Sequence, residues 1–117
     1  MPTVVIGNNT GDDYSGVEDN RLVQASPTTN YGSNDRFDMM KGTSGSYSHG
    51  IIRFTGLSNI TGTVDVSNAV LSLNQSTGGY TQTFSFRRLL RNWSESQSTW
   101  NRYITGSDWS TAGAALS

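Results

Sequence analysis

The scarcity of charged helix-forming residues is the feature that most constrains this chain. It has one lysine, Lys41, and two glutamates, Glu18 and Glu95, whereas 41 of its 117 residues are Ser, Thr or Asn and 13 are Gly. Short polar side chains hydrogen-bond to nearby backbone, and glycine loses the most entropy in a helix, so both favour strands and turns. This composition excludes an all-α fold, and the length suits one small domain.

Charge and cysteine content narrow the function classes. The formal net charge is -1, so the chain lacks the excess positive charge with which proteins bind nucleic acid or anionic lipid. The absence of Cys excludes disulfides, a thiolate nucleophile and a Cys-based zinc site. No apolar run is long enough for a membrane helix, and residues 1–7 lack the pattern of a signal peptide. We therefore expect neither nucleic acid nor membrane as a partner.

Alternating apolar and polar residues predict a series of short strands. The candidates are 3–6, 17–25, 35–41, 47–54, 69–74 and 81–90. In the fourth, the adjacent Ile51 and Ile52 indicate either a strand buried on both faces or a bulge near Gly50. Turn signals recur roughly every 8 to 12 residues, which is typical of an antiparallel β-sandwich of jelly-roll type. We expect residues 1–16 to form a strand and polar loop, and residues 17–117 to form the sandwich.

Several motifs along the chain resemble those of one known family. They are Asp19-Asn20-Arg21-Leu22, Pro27-x-x-Asn30-Tyr31-Gly32, Arg53-Phe54, Ala69-x-Leu71-x-Leu73, Trp93-x-Glu95 and Thr99-Trp100-Asn101. In order and spacing they are similar to the DNRLRE-type domain, a disaggregatase-related group of β-sandwiches that resemble carbohydrate-binding modules. The resemblance implies structural roles for Pro27, Asn30, Tyr31, Gly32, Arg53, Phe54, Leu71, Leu73, Trp93, Glu95, Thr99, Trp100 and Asn101.

The ends of the chain carry two further implications of this resemblance. Such domains usually continue through further strands after the Thr-Trp-Asn motif, so we expect a sandwich ending at Ser117 to lack its closing strands. An uncovered sheet edge is normally paired or protected. We therefore expect either that the gene product continues past Ser117 or that another chain covers the edge, and the second alternative predicts a homo-oligomer or a subunit bound to a larger shell. The leader from Met1 to Gly16 resembles those of bacteriophage virion proteins with this domain, which implies a place on a virion surface.

Aromatic residues near turns are the candidate contacts for a ligand. The Asn30-Tyr31-Gly32 segment is open to two interpretations, a sugar contact or a proline-initiated turn that Tyr31 closes. We expect Trp93 and Trp100 to be core anchors, with Glu95 accepting hydrogen bonds from nearby backbone, rather than a binding face. We expect the aromatic side chains in or beside Gly- and Ser-rich loops to be exposed, and they are the better candidates for contact with a glycan or a partner. These candidates are Tyr31, Tyr47, Tyr80, Tyr103 and Trp109.

Residues for metal binding or catalysis do not form a convincing set. The acidic residues Asp12, Asp13, Glu18 and Asp19 offer oxygen ligands, but their spacing is not that of a calcium loop. His49 is the only histidine, and Glu18 and Glu95 are far apart in sequence for a glycosidase pair. We therefore expect no metal, no cofactor and no enzymatic activity.

Two functions remain open from the sequence. The first is a structural surface protein of a bacteriophage virion, either a capsid decoration or a fibre component, that contacts other virion proteins and copies of itself. The alternative is a carbohydrate-binding or host-adhesion module, at the virion surface or extracellular, that binds polysaccharide on a host or in the environment. A concave surface with exposed aromatic rings would distinguish the second function from the first.

Overall fold

The protein is all-β in the part of the chain that is described. A computed structural model describes residues 16–35, 38–57, 68–75 and 83–115. Its strands are β1 (Val17–Val23), β2 (Ser48–Phe54), β3 (Arg102–Ile104) and β4 (Ser107–Asp108), followed by a 3₁₀ turn, Ala112–Ala114. Both strand pairs are antiparallel. These ranges contain no α-helix, and therefore none that could cross a bilayer. This architecture confirms the predicted fold class and is consistent with a small β-sandwich.

Strands β1 and β2 form a two-stranded sheet whose register runs without interruption from Val17↔Phe54 to Val23↔Ser48. Because side chains alternate across a strand, one face of the sheet carries Asn20, Leu22 and Ile51, which are all buried. Ile52 lies on the opposite face and is half-buried. Because the register is unbroken, β2 has no bulge near Gly50, which was one of the two structures that the adjacent isoleucines predicted.

The hydrophobic core lies against that buried face. Leu22 and Ile51 of the sheet pack with Trp93, Trp100 and Trp109. Trp93 and Trp100 are 4% and 8% exposed, in agreement with the expected role of both as core anchors. An indole buries a large apolar area, so these rings cover the sheet with large apolar faces.

The third predicted strand, residues 35–41, is reduced to a single bridge. Met40 pairs with Ser48 in antiparallel fashion, and residues 36 and 37 lie outside the described ranges. The Ser48 hydroxyl donates to the Asp38 carbonyl at 2.9 Å, while the Asp38 carboxylate pairs with Arg21. Residues 38, 39 and 41 have no strand assignment, so in the described residues the predicted strand is limited to the Met40 bridge.

Two other predicted strands are not formed in the described residues. Residues 69–74 and 83–90 have no strand assignment, and Leu71 and Leu73 are 45% and 42% exposed. A strand requires a partner that completes its ladder of hydrogen bonds, and alternation alone does not supply one. The short strand β4 formed where no strand pattern was visible. The candidate at 3–6 lies outside the described residues.

Candidate functional site

A large cavity in the described part of the chain forms a groove beside β2. It has a volume of about 990 Å³ and lies between β2, residues 83–93 and residues 113–115. In the described part of the chain no further strand covers this side of β2, since the sheet order is β1-β2. The groove therefore borders the hydrophobic core on one side and solvent on the other.

Positive charge is concentrated in this groove. Five of the eight Lys and Arg residues of the chain line it: Lys41, Arg53, Arg87, Arg88 and Arg91. No Asp or Glu is found among the described residues that line it. The groove is therefore cationic, although the chain as a whole carries a formal charge of -1.

One of these cations is fixed in place and the others are exposed. Arg53 on β2 pairs with Glu18, which lies opposite it on β1, and it also donates to the Asn92 side-chain oxygen. Its guanidinium lies 5.0 Å from the centre of the Trp93 ring. The charge of Arg53 is thus balanced by Glu18. The remaining four cations are exposed to solvent, and the guanidinium of Arg91 lies 5.8 Å from the centre of the Tyr103 ring.

Aromatic rings lie beside the exposed cations. Phe84 and Phe86 line the groove and are 46% and 67% exposed. Tyr47 also lines it and packs against the core. Exposed aromatic rings next to hydrogen-bond donors can cover the apolar face of a sugar ring while its polar groups are bound.

His49 connects the groove to the core. Its ring lies 5.0 Å from the Trp100 ring at an interplanar angle of 46°. Its Nδ1 atom is 2.7 Å from the Gly113 carbonyl oxygen. His49 lies on β2 opposite Leu22 and lines the groove, so its ring is oriented from two sides.

A network of buried amides holds the loops around this sheet. The Asn20 side chain is fully buried and donates to the Ser98 carbonyl at 2.9 Å. The Asn30 side chain donates to the carbonyls of Glu95 and Ser98, both at 2.7 Å. The Asn20 side-chain oxygen accepts the Tyr31 N–H. Since buried polar groups require partners, the two asparagines hold the backbone of the Asn30-Tyr31-Gly32 segment in place. The sugar contact and the proline-initiated turn both stay predictions for this segment.

Glu95 of the Trp-x-Glu motif and Gly32 of the Asn-Tyr-Gly motif lie in the same network of contacts. The Glu95 carboxylate accepts the Asp19 N–H at 2.8 Å, in agreement with its expected role as an acceptor for backbone. At Gly32, any Cβ would collide with the Glu95 carbonyl. Only glycine therefore fits at position 32, where these loops approach each other closely.

The Asp19 carboxyl lies in a partly buried environment. Burial, and secondarily the nearby Glu95 charge, raises the pKa of this carboxyl.

The Thr-Trp-Asn motif closes the C-terminal part of the core. The Thr99 side-chain oxygen accepts the N–H groups of Asn101 and Arg102. The Asn101 N–H donates to the Pro27 carbonyl at 3.2 Å, which connects this turn to the Pro-x-x-Asn turn. The two turns are therefore held together by a backbone hydrogen bond, and the structural roles that the resemblance implies for these motifs stay predictions. Phe54, the last residue of β2, is half-buried.

Of the four predicted aromatic contacts that lie in the described residues, Tyr47 is the one that lines the groove. Tyr47 lies in the groove, whereas Tyr31 lies under the Arg21 guanidinium, 4.4 Å from its ring centre. Tyr103 is half-buried, with its ring 5.6 Å from that of Trp109. Tyr80 lies outside the described residues.

The expectation that Trp109 is exposed is wrong. Its side chain is 5% exposed, and its Nε1 donates to the Thr99 carbonyl at 2.9 Å. The indole has both an apolar environment and a hydrogen-bond partner inside the fold, so it does not remain at the surface.

Sequence reasoning missed the groove residues Phe84, Phe86, Arg87, Arg88 and Arg91. The alternation of the two phenylalanines predicted a strand with a buried face. The low net charge of the whole chain gave no indication of the local excess of arginine. The available signal was local: three arginines follow two phenylalanines within the segment from Phe84 to Arg91. Such a combination is typical of a surface that binds an anionic partner.

No cluster of three metal-ligating side chains is present among the described residues. Glu18, one of the candidate calcium ligands, is paired with Arg53. Asp12 and Asp13 lie outside the described residues, so the prediction about the acidic loop stays a prediction.

The fold and the groove define a class of protein: a small antiparallel β-domain with a cationic, aromatic-lined groove, suited to binding. Comparison with protein families identifies the class more closely, because residues 13–106 match the model of carbohydrate-binding module family 96. The chain belongs to this family. Searches of curated proteins and of solved structures found no match. Of the two functions open from the sequence, the family supports the carbohydrate-binding module.

Proposed function

We propose that this protein is a non-catalytic module that binds an acidic polysaccharide in the groove beside β2. The observation that carries the proposal is the concentration of cations there. Lys41, Arg87, Arg88 and Arg91 are exposed in the groove, and no described carboxylate lines it. A neutral polysaccharide gives no reason for such a charge distribution, whereas a polymer with carboxylate or sulfate groups is attracted by it.

The chemistry of the side chains fits a charged sugar. A guanidinium presents a planar fork of N–H groups that pairs with a carboxylate or sulfate through two parallel hydrogen bonds. Phe84 and Phe86 offer apolar ring faces beside these forks. An open groove suits a polymer, since the chain can enter and leave along its length.

The first test compares two forms of one polymer. Binding to polygalacturonate and to the same polymer with its carboxyl groups methyl-esterified is measured by calorimetry. We expect binding to the acidic form and loss of most of that binding after esterification. Added salt should weaken the interaction, because exposed charges are screened. Equal binding to the two forms, unaffected by salt, would contradict the proposed charge recognition.

A pair of variants locates the site. Arg88→Gln removes one positive charge in the groove, and Arg102→Gln removes one on β3, away from it. We expect about a threefold to tenfold loss of affinity for the first variant, since a charge-assisted hydrogen bond contributes about 1 kcal/mol or more. The second should bind like the parent protein. Equal losses would show that only net charge matters.

The virion role predicted from the sequence is a proposal about where such a module acts. It rests on the resemblance of the leader to those of phage virion proteins, and a carbohydrate-binding module on a particle would serve host adhesion. An antibody against the purified domain should then label phage particles under the electron microscope. Light scattering on the purified chain tests the proposed self-association. Unlabelled particles and a monomer would favour a module that acts outside a virion.

A further inference from the structure

We propose that His49 is a sugar-contacting residue of this groove and that its neutral ring is held in one tautomer. In this tautomer Nδ1 carries the proton and Nε2 is a hydrogen-bond acceptor for a sugar hydroxyl. The inference rests on the proposed function for the identity of the ligand. The tautomer itself follows from contacts within the protein.

The tautomer is set by the partner of Nδ1. Nδ1 lies 2.7 Å from the carbonyl oxygen of Gly113. A carbonyl oxygen only accepts hydrogen bonds, so Nδ1 must be the donor. In the neutral imidazole the other nitrogen, Nε2, then has a free lone pair.

The packing of Gly113 fixes the position of the carbonyl oxygen that lies next to His49 Nδ1. Gly113 has a φ of 78°, and its N–H donates to the Trp100 carbonyl at 2.6 Å. A Cβ at this position would collide with the Trp100 ring, at 2.6 Å from its Cη2 atom. The turn is therefore closely packed on Trp100, and the same tryptophan ring lies beside the His49 imidazole.

Nε2 is left accessible to a ligand. It has no hydrogen-bond partner among the described residues, where Nδ1 makes the one hydrogen bond of the ring. Nε2 is not fully buried either. In the described part of the chain, Arg21 Nε is the one fully buried side-chain nitrogen or oxygen without a hydrogen-bond partner. Since Nε2 also lacks a partner, it must be accessible to solvent. His49 lines the groove, so an accessible Nε2 is available to a ligand bound there.

An acceptor at this position complements the neighbouring side chains. Lysine and arginine only donate hydrogen bonds, so the exposed cations bind the anionic groups of a sugar and leave its hydroxyl protons without partners. The side-chain oxygen of Asn92 already accepts from Arg53. The neutral His49 ring provides an acceptor whose orientation is fixed before the ligand arrives, which lowers the entropic cost of binding.

The tautomer can be tested without any sugar. In mildly alkaline buffer, where imidazole rings are neutral, two-bond ¹⁵N–¹H correlation spectra of the uniformly labelled protein distinguish the tautomers. Since His49 is the only histidine, its signals need no further assignment. We expect a protonated Nδ1 and an unprotonated Nε2. A protonated Nε2 would overturn the proposal.

The sugar contact is tested with two amide variants. The His49→Asn side chain reaches the position of Nδ1 and can still donate to Gly113, but it has no atom at the position of Nε2. The His49→Gln side chain reaches the Nε2 position with an amide acceptor. We expect His49→Asn to bind polygalacturonate about tenfold more weakly than the parent protein, as expected for the loss of one hydrogen bond. His49→Gln should retain most of the affinity.

The outcomes separate this inference from the proposed function. If the parent protein binds no polysaccharide, the proposed function fails and the sugar contact fails with it. If the parent protein binds and His49→Asn binds equally well, only the role of His49 is wrong. Melting temperatures of both variants are measured first, and a loss of binding counts in favour of the contact only where the variant remains folded.

Discussion

The indole ring of Trp100 packs directly against the backbone of Gly113. The Gly113 N–H donates to the Trp100 carbonyl at 2.6 Å, and the indole of Trp100 occupies the space that a side chain at 113 would need. Gly113 is buried, with a φ of 78°. This contact joins the C-terminal turn to the core and sets the position of the carbonyl that binds His49.

Replacing Gly113 with alanine should therefore destabilise the protein strongly. The left-handed conformation costs an alanine about 1 to 2 kcal/mol. Collision of the new Cβ with a buried indole adds about 1 to 3 kcal/mol. We expect Gly113→Ala to lower the free energy of unfolding by about 2 to 5 kcal/mol, measured by urea denaturation.

Gly45→Ala is the matched control for this substitution. Gly45 also has a positive φ, 89°, but no atom lies within 4 Å of the position that a Cβ would take there. Its replacement should show the conformational cost alone, about 1 to 2 kcal/mol. Equal losses for the two variants would mean that the contact with Trp100 contributes nothing.

Much of the fold was predictable because its signals are local. Strands β1 and β2 follow from alternation within residues 17–25 and 47–54, and the burial of Trp93 and Trp100 follows from their motifs. The strands expected at 69–74 and 83–90 failed in the described residues for a physical reason. Alternation specifies two faces, but a strand forms only where a second segment completes its hydrogen bonds.

The site was less predictable because it depends on contacts between distant segments. The segment from Phe84 to Arg91 is visible in the sequence, but its position beside β2 is not. Likewise, a lone histidine has no pattern around it, and the significance of His49 arises only when Gly113 lies next to its Nδ1 atom. The exposure of Trp109 was misjudged because its polar loop environment gives no sign of the Thr99 carbonyl that binds its Nε1.

The burial of Trp109 gives a second prediction. Trp109→Ala should lower the free energy of unfolding by about 3 to 5 kcal/mol, because it removes a buried indole and leaves a cavity. Trp109→Phe should cost less, and the remaining loss would reflect the Thr99 carbonyl left without its donor. Urea denaturation measures both. A folded Trp109→Ala variant with unchanged stability and reduced sugar binding would restore the surface role first expected.

The buried amide of Asn20 gives a third. Its side-chain nitrogen donates to both oxygens of Ser98, the carbonyl and the hydroxyl. Asn20→Asp keeps the shape but replaces this donor with a charged acceptor facing a carbonyl. We expect a loss of about 3 to 5 kcal/mol or failure to fold, as when a buried charge has no partner. Asn92→Asp, at an exposed position beside Arg53, is the control and should be nearly neutral by thermal denaturation.

The Asp19 carboxyl gives the last prediction, which concerns pH. Burial, with a smaller contribution from the charge of Glu95, raises its pKa above the usual value of 3.8. Between 3.8 and the raised value, the folded state holds more protons at Asp19 than the unfolded state does, so this group lowers stability as the pH rises through that window. Above the window the penalty is constant.

Asp19→Asn should therefore raise the melting temperature at neutral pH, and this advantage should vanish below pH 3.8, where both forms are uncharged. Asp35→Asn, at an exposed position, controls for the loss of one negative charge. If Asp19→Asn gave the same shift as the control at every pH, the environment of Asp19 would have no effect on stability.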